Sequence, residues 1–96
     1  MLPGTDVIKK AVSSLHPRTP GVRIDNDDIR VGLDSTDDEA VWVDVIVPDE
    51  SIEEFYKEWA EVRRQIKELI QDELRNPELF VYVRMKAASE VEAGDS

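Results

Sequence analysis

Apolar and polar positions follow two distinct periods along this chain. From Ser51 to Arg75 the large apolar residues Ile52, Phe55, Trp59, Val62, Ile66 and Leu69 recur in steps of three and four. An α-helix turns once every ~3.6 residues, so this spacing holds them on one side of a helix. Tyr56, Ile70 and Leu74 widen the stripe, and Glu54, Lys57, Glu58, Glu61, Arg64, Gln65, Glu68, Gln71 and Asp72 make the opposite face polar. Ser51 and Glu54 have the spacing of a capping box, in which each side chain accepts from the other's free backbone N–H. Pro77 stops the pattern, because proline disfavours helical geometry at the residue before it. One continuous helix of ~35 Å is expected. A shorter helix is predicted over Val7, Ile8, Ala11, Val12 and Leu15, with Thr5 or Asp6 as its N-cap and Pro17 beyond its end.

The second period is two. Val22 and Ile24 fit the start of a strand, interrupted by the turn-forming Asn26-Asp27-Asp28. Ile29, Val31 and Leu33 then alternate with Arg30, Gly32 and Asp34 as a half-buried strand does. After an acidic loop, residues 40–47 are dense in β-branched and aromatic side chains, and the two strands most simply make an antiparallel hairpin. A third strand is expected from Leu79 to Lys86. The resulting fold class is α+β, a two-layer sandwich of order α-β-β-α-β. A three-stranded, mainly antiparallel sheet carries the long amphipathic helix on one face. Residues 1–86 would form a single domain and residues 87–96 a disordered acidic tail.

Strand parity sorts the sheet residues into two faces. Val41, Val43, Val45 and Val47, with Leu79, Val81, Val83 and Met85, would face the helix. The other face carries Trp42, Asp44, Ile46, Phe80, Tyr82, Arg84 and Lys86, of which four are large and apolar or aromatic. A face that met only water would be polar. Three covers are open: the first helix folded back, a protein partner or second copy, or a small ligand in a pocket around Asp44 and Tyr82 roofed by the first helix. The predicted contact residues are Trp42, Ile46, Phe80 and Tyr82, and a homo-oligomer or a protein partner is expected.

Charge narrows the partners. The 96 residues hold 22 acids against 12 bases, a net charge of −10. Ten acids between Asp25 and Glu50 share that stretch with Arg30 alone. Such a surface repels phosphate backbones and anionic lipid headgroups, which disfavours nucleic acid and membrane as partners. The chain has no cysteine and so no thiolate chemistry. It has no apolar run near the ~20 residues that span a bilayer and no signal-peptide pattern. A soluble cytoplasmic protein is expected.

Candidate chemistry is sparse. The heptad spacing of Ile52, Trp59 and Ile66 also suits a coiled-coil seam, until Glu73 falls where the next core residue belongs. Asp25-Asn26-Asp27-Asp28 begins like a calcium loop, but Ile29 and Arg30 follow where a ligand and a glycine are needed. His16 is the sole histidine; with Ser13 or Ser14 it lacks any nucleophile elbow or oxyanion loop. Asp44, mid-strand among apolar neighbours, would pair with Arg30, Arg84 or Lys86, or act as a base of raised pKa. No cofactor motif occurs among the singly scattered glycines. The expectation is an interaction or self-assembling module, with a small-ligand-binding or enzymatic domain, its pocket between the first helix and the sheet, as the alternative.

Two resemblances accompany this reading. Val41-Trp-Val-Asp-Val-Ile-Val-Pro-Asp-Glu-Ser-Ile-Glu-Glu resembles the strand-to-helix passage in the cytoplasmic domain of cation diffusion facilitator transporters. That likeness implies a domain that dimerises and responds to metal, although the family's histidine ligands are missing here. Pro77-Glu-Leu-Phe-Val-Tyr is similar to a stretch of ribosome-binding factor A, a KH-like domain, which implies contact with ribosomal RNA. The acidic charge and the lack of a small-residue kink in the long helix depart from that family. Architecture shared at this level does not carry function.

Overall fold

The computed structural model describes residues 4–93. In chain order the elements are α1 (Thr5–Val12), β1 (Arg23–Ile24), β2 (Arg30–Leu33), β3 (Glu39–Val47), α2 (Ile52–Tyr56), α3 (Trp59–Leu74), β4 (Phe80–Ala87) and α4 (Ala88–Ala93). Short 3₁₀ turns lie at Asn26–Asp28 and Asp49–Ser51. The fold is α+β, with a mixed sheet of four strands rather than three mainly antiparallel ones.

β3 is the centre of the sheet. β1 and β2 pair antiparallel along one of its edges, so the expected hairpin is present. β4 pairs along the other edge in parallel, from Ala40 opposite Phe80 to Val47 opposite Ala87. The parallel pairing follows from the connection: the chain leaves β3, returns along the sheet as α3, and must run in the original direction again. β1 and β2 are two parts of one interrupted edge strand. Ile24 opposes Val45 and Arg30 opposes Trp42, so five residues stand against two and three are extruded as a turn.

Val41, Val43, Val45 and Val47 are fully buried beneath Phe55, Val62, Ile66 and Ile70, as parity requires. Ile8, Ala11 and Val12 of α1 join the same core, and α1 packs against α3. The first helix therefore lies on the α3 side of the sheet and does not cover the second face. A pocket around Asp44 and Tyr82 roofed by α1 has no roof.

The expected continuous helix is broken at Lys57 and Glu58. The capping box does not form; Ser51 makes no side-chain cap. The N–H groups of Lys57 and Glu58 bond three residues back, to Glu54 and Phe55, a tightening typical of a 3₁₀ turn. Glu58 stands at the break with φ −114°, and its carboxylate accepts from the backbone N–H of Arg18 at 3.0 Å and from the Thr19 hydroxyl at 3.1 Å, anchoring the loop after α1. The buried face of α3 runs Val62, Ile66, Ile70, leaving Leu69 half-buried. A straight helix drifts away from a strict heptad in this direction, and the face meets the sheet, so no coiled-coil seam is present. Arg75 closes α3 at φ 53°, a left-handed position where glycine is usual.

The expected tail reads differently over its described part. β4 extends to Ala87 and α4 follows at once, packing against β3 and β4, with the Ser89 N–H donating to Asp49 at 3.0 Å. Residues 94–96 of that tail lie outside the described residues.

Candidate functional site

The second sheet face divides into three zones along the strands. At one end Phe80, Tyr82 and Trp42 form a ladder of near-parallel rings, with centroids 6.4 Å apart for Phe80–Tyr82 and 5.8 Å for Trp42–Tyr82. Register explains it: Trp42 and Tyr82 are direct neighbours, and Phe80 precedes Tyr82 by one same-face step. Gly32 lies beside the indole, where a Cβ would stand in ordinary contact with it at 3.8 Å. Phe80 is 46% exposed and Tyr82 42%, while Trp42 is half-buried.

The acidic loop bounds this zone. Asp34 Oδ1 accepts from the Thr36 N–H at 2.8 Å and the Asp38 N–H at 3.1 Å, and the Thr36 hydroxyl lies 2.7 Å away. The Tyr82 hydroxyl donates to Asp34 Oδ2 at 3.2 Å. The Thr36 hydroxyl and N–H hold the Asp34 carboxyl below its usual range. Loss of solvent and the Asp34 charge push the Tyr82 phenol up.

The middle zone is ionic. Asp44 is 1% exposed. It accepts from Arg84 Nε at 3.0 Å and Nη2 at 3.3 Å, and lies 2.7 Å from the Lys86 ammonium. Burial pushes the Asp44 carboxyl up, but hydrogen bonds from Arg84 and Lys86 outweigh it and hold it at about 2. The reading of Asp44 as a base of raised pKa is thereby overturned. Of its three expected partners, Arg84 and Lys86 pair with it; Arg30 instead lies 3.9 Å from Asp28.

The next contact depends on the interruption between β1 and β2. The extruded turn carries Asp25 and Asp28 to Asp44, and one oxygen from each falls within 4.8 Å of the others. Lys86 stands among them, 2.9 Å from Asp28 and 3.9 Å from Asp25. The chain supplies its own cation here, and the three carboxylates are satisfied by it. The signal available in the sequence was the pair of offsets that place residues 25 and 28 on the edge beside 44.

At the far end Ile46 is only 2% exposed, where α4 packs against β3 and β4. Of the four expected contact residues, Trp42, Phe80 and Tyr82 come together as one surface, whereas Ile46 is buried and removed from it. His16 and Ser13 do not assemble a nucleophile: the Ser13 hydroxyl donates to the Lys10 carbonyl at 2.7 Å and finishes α1. No helix among the described residues is long and apolar enough to cross a membrane. Comparison with protein-family models, curated proteins and solved structures returns no match to this chain, so both likenesses rest on element order and short runs alone.

Proposed function

We propose that this protein is a self-assembling module that pairs with a second copy through the sheet face of Trp42, Phe80 and Tyr82. The observation that carries the reading is the aromatic ladder, left open because both long helices lie on the opposite side of the sheet. Contiguous exposed aromatic surface marks contact sites in soluble proteins. Its surroundings favour a second copy. Asp34, Asp37 and Asp38 lie beyond one end of the ladder and Arg84 beyond the other. A two-fold axis in the sheet plane, perpendicular to the strands, would set rings on rings and place each acidic loop over the other copy's arginine. Stacked on one another, the rings offer few free faces to a nucleobase, and the adjoining carboxylates repel phosphate.

Sedimentation equilibrium over a wide concentration range tests the reading. The wild type is expected to dimerise, and Phe80→Ser to shift the equilibrium toward monomer while staying folded, since Phe80 is outside the core; its melting temperature should fall only by the stabilisation that dimerisation supplied. A wild type that stays monomeric throughout sinks the proposal. So does a Phe80→Ser protein that dimerises as tightly as the parent.

A further inference from the structure

The outer edge of β4 is an open edge of the sheet. β4 pairs with β3 alone, so every second residue of an eight-residue strand turns its N–H and C=O outward, with no strand facing them among the described residues. Natural edges of this length are blunted by proline, a bulge or charged side chains. β4 has no proline, and its two charges, Arg84 and Lys86, are engaged by Asp44 and Asp28 on the second sheet face, so the helix-side flank of the edge carries no charge of its own. Alongside the edge runs an open groove of about 430 Å³, lined by Ala60, Val81, Tyr82 and Val83 and by Arg63, Arg64 and Lys67 of α3. On a chain of net charge −10 these cations are a local concentration of positive charge, of which Arg64 is shared with Glu68 at 3.6 Å.

We infer that the β4 edge and this groove form a site for an extended acidic peptide, added to the sheet as a fifth strand. Main-chain hydrogen bonds to β4 would supply affinity. Alternate side chains of the incoming strand would face either Ala60 and the valines or, through carboxylates, Arg63 and Lys67. The same cations decide against the simplest competitor. Antiparallel pairing of β4 with β4 of another copy would bring two sets of Arg63, Arg64 and Lys67 together and cost like-charge repulsion. An acidic strand is attracted where a second copy is repelled. The groove shares Tyr82 with the aromatic ladder but not Phe80, so the Phe80→Ser protein separates strand addition from sheet-face pairing.

The test is fluorescence anisotropy with a labelled ten-residue peptide of alternating valine and glutamate, titrated with the wild type and with the Phe80→Ser protein. Saturable binding to both is expected. Arg63→Glu/Lys67→Glu, both exposed positions, should weaken it about tenfold or more. A peptide with proline at alternate positions, which lacks the donors, should lose binding altogether. Amide hydrogen exchange should slow in β4 when the peptide is present. The inference is overturned by no saturable binding, or by equal binding of the proline peptide, which would mean charge attraction alone. It is overturned equally by a preference for an oligothymidine of the same length or for the lysine analogue of the peptide.

Discussion

Replacing Asp44 with asparagine keeps the shape of the side chain and removes the charge that organises the second face. The cost can be worked from the ionisation of Asp44, lowered from an ordinary 3.8 to about 2 in the folded chain. At ~1.36 kcal/mol per tenfold change, that displacement corresponds to roughly 2 to 3 kcal/mol of stability at neutral pH. Because the folded value is the lower one, the contribution is complete well above pH 3.8 and is lost as pH falls through about 2. About half should be gone by pH 3 and nearly all below pH 2. Asp44→Asn should therefore lower the stability at pH 7 by ~2 to 3 kcal/mol, below the ~3–5 kcal/mol typical of breaking a buried pair. The discount arises because the Arg84 side chain is 58% exposed and returns to water when its partner is lost. Urea unfolding followed through Trp42 and Trp59 fluorescence at pH 7, 4 and 3 measures the difference. Comparing variant with parent matters, since protonating other acids relieves self-repulsion in a chain of net charge −10 and obscures the parent's own profile. A difference under ~0.5 kcal/mol at pH 7, or one that does not shrink toward pH 3, refutes the account.

Other substitutions probe the packing. Gly21 has φ 81° and a Cβ there would meet Pro48 Cγ at 2.7 Å, so Gly21→Ala should cost more than the ~1–2 kcal/mol of a left-handed residue alone; chemical denaturation checks this. Ile66→Ala empties a fully buried position and should cost ~2–5 kcal/mol, whereas half-buried Leu69→Ala should cost clearly less, and equal losses would restore the heptad reading. Arg75→Gly relieves a left-handed arginine at the end of α3 and should raise stability by up to ~1 kcal/mol in a thermal melt analysed for ΔG.

The strands and their faces were legible because alternation is a local property: Val41 to Val47 point one way and Trp42 to Ile46 the other in any sheet. The parallel partner of β3 was legible in principle, since a long helix between two strands reverses the chain, but the hairpin drew attention to antiparallel pairing. The helix break was not legible. Lys57 and Glu58 are good helix formers, and the contacts that Glu58 makes at the break come from Arg18 and Thr19, about forty residues earlier. The side on which α1 docks was equally hidden, because an amphipathic helix specifies that it must be covered and not by what. Trp42, Phe80 and Tyr82 share a face by parity and lie together in the fold. Ile46 shares that parity but is buried, and alternation carries no information about α4, whose small and acidic residues look like a solvated tail. The link from Asp25 and Asp28 to Lys86 depends on a three-residue extrusion that no periodicity reports.

The position of β3 has a consequence for how the chain is made. Every partner pair between β3 and β4 is separated by forty residues, whereas the hairpin with β2 closes over a short loop. On a ribosome the hairpin can form while β4 is still unsynthesised. For that interval the Val-rich run Ala40–Val47 presents one bare edge and one unburied face, the composition that seeds cross-β association between nascent chains. Flanking it on both sides are acids: Asp34, Asp37, Asp38 and Glu39 before, Asp49, Glu50, Glu53 and Glu54 after. They are placed as gatekeepers, repelling neighbouring chains until β4 arrives.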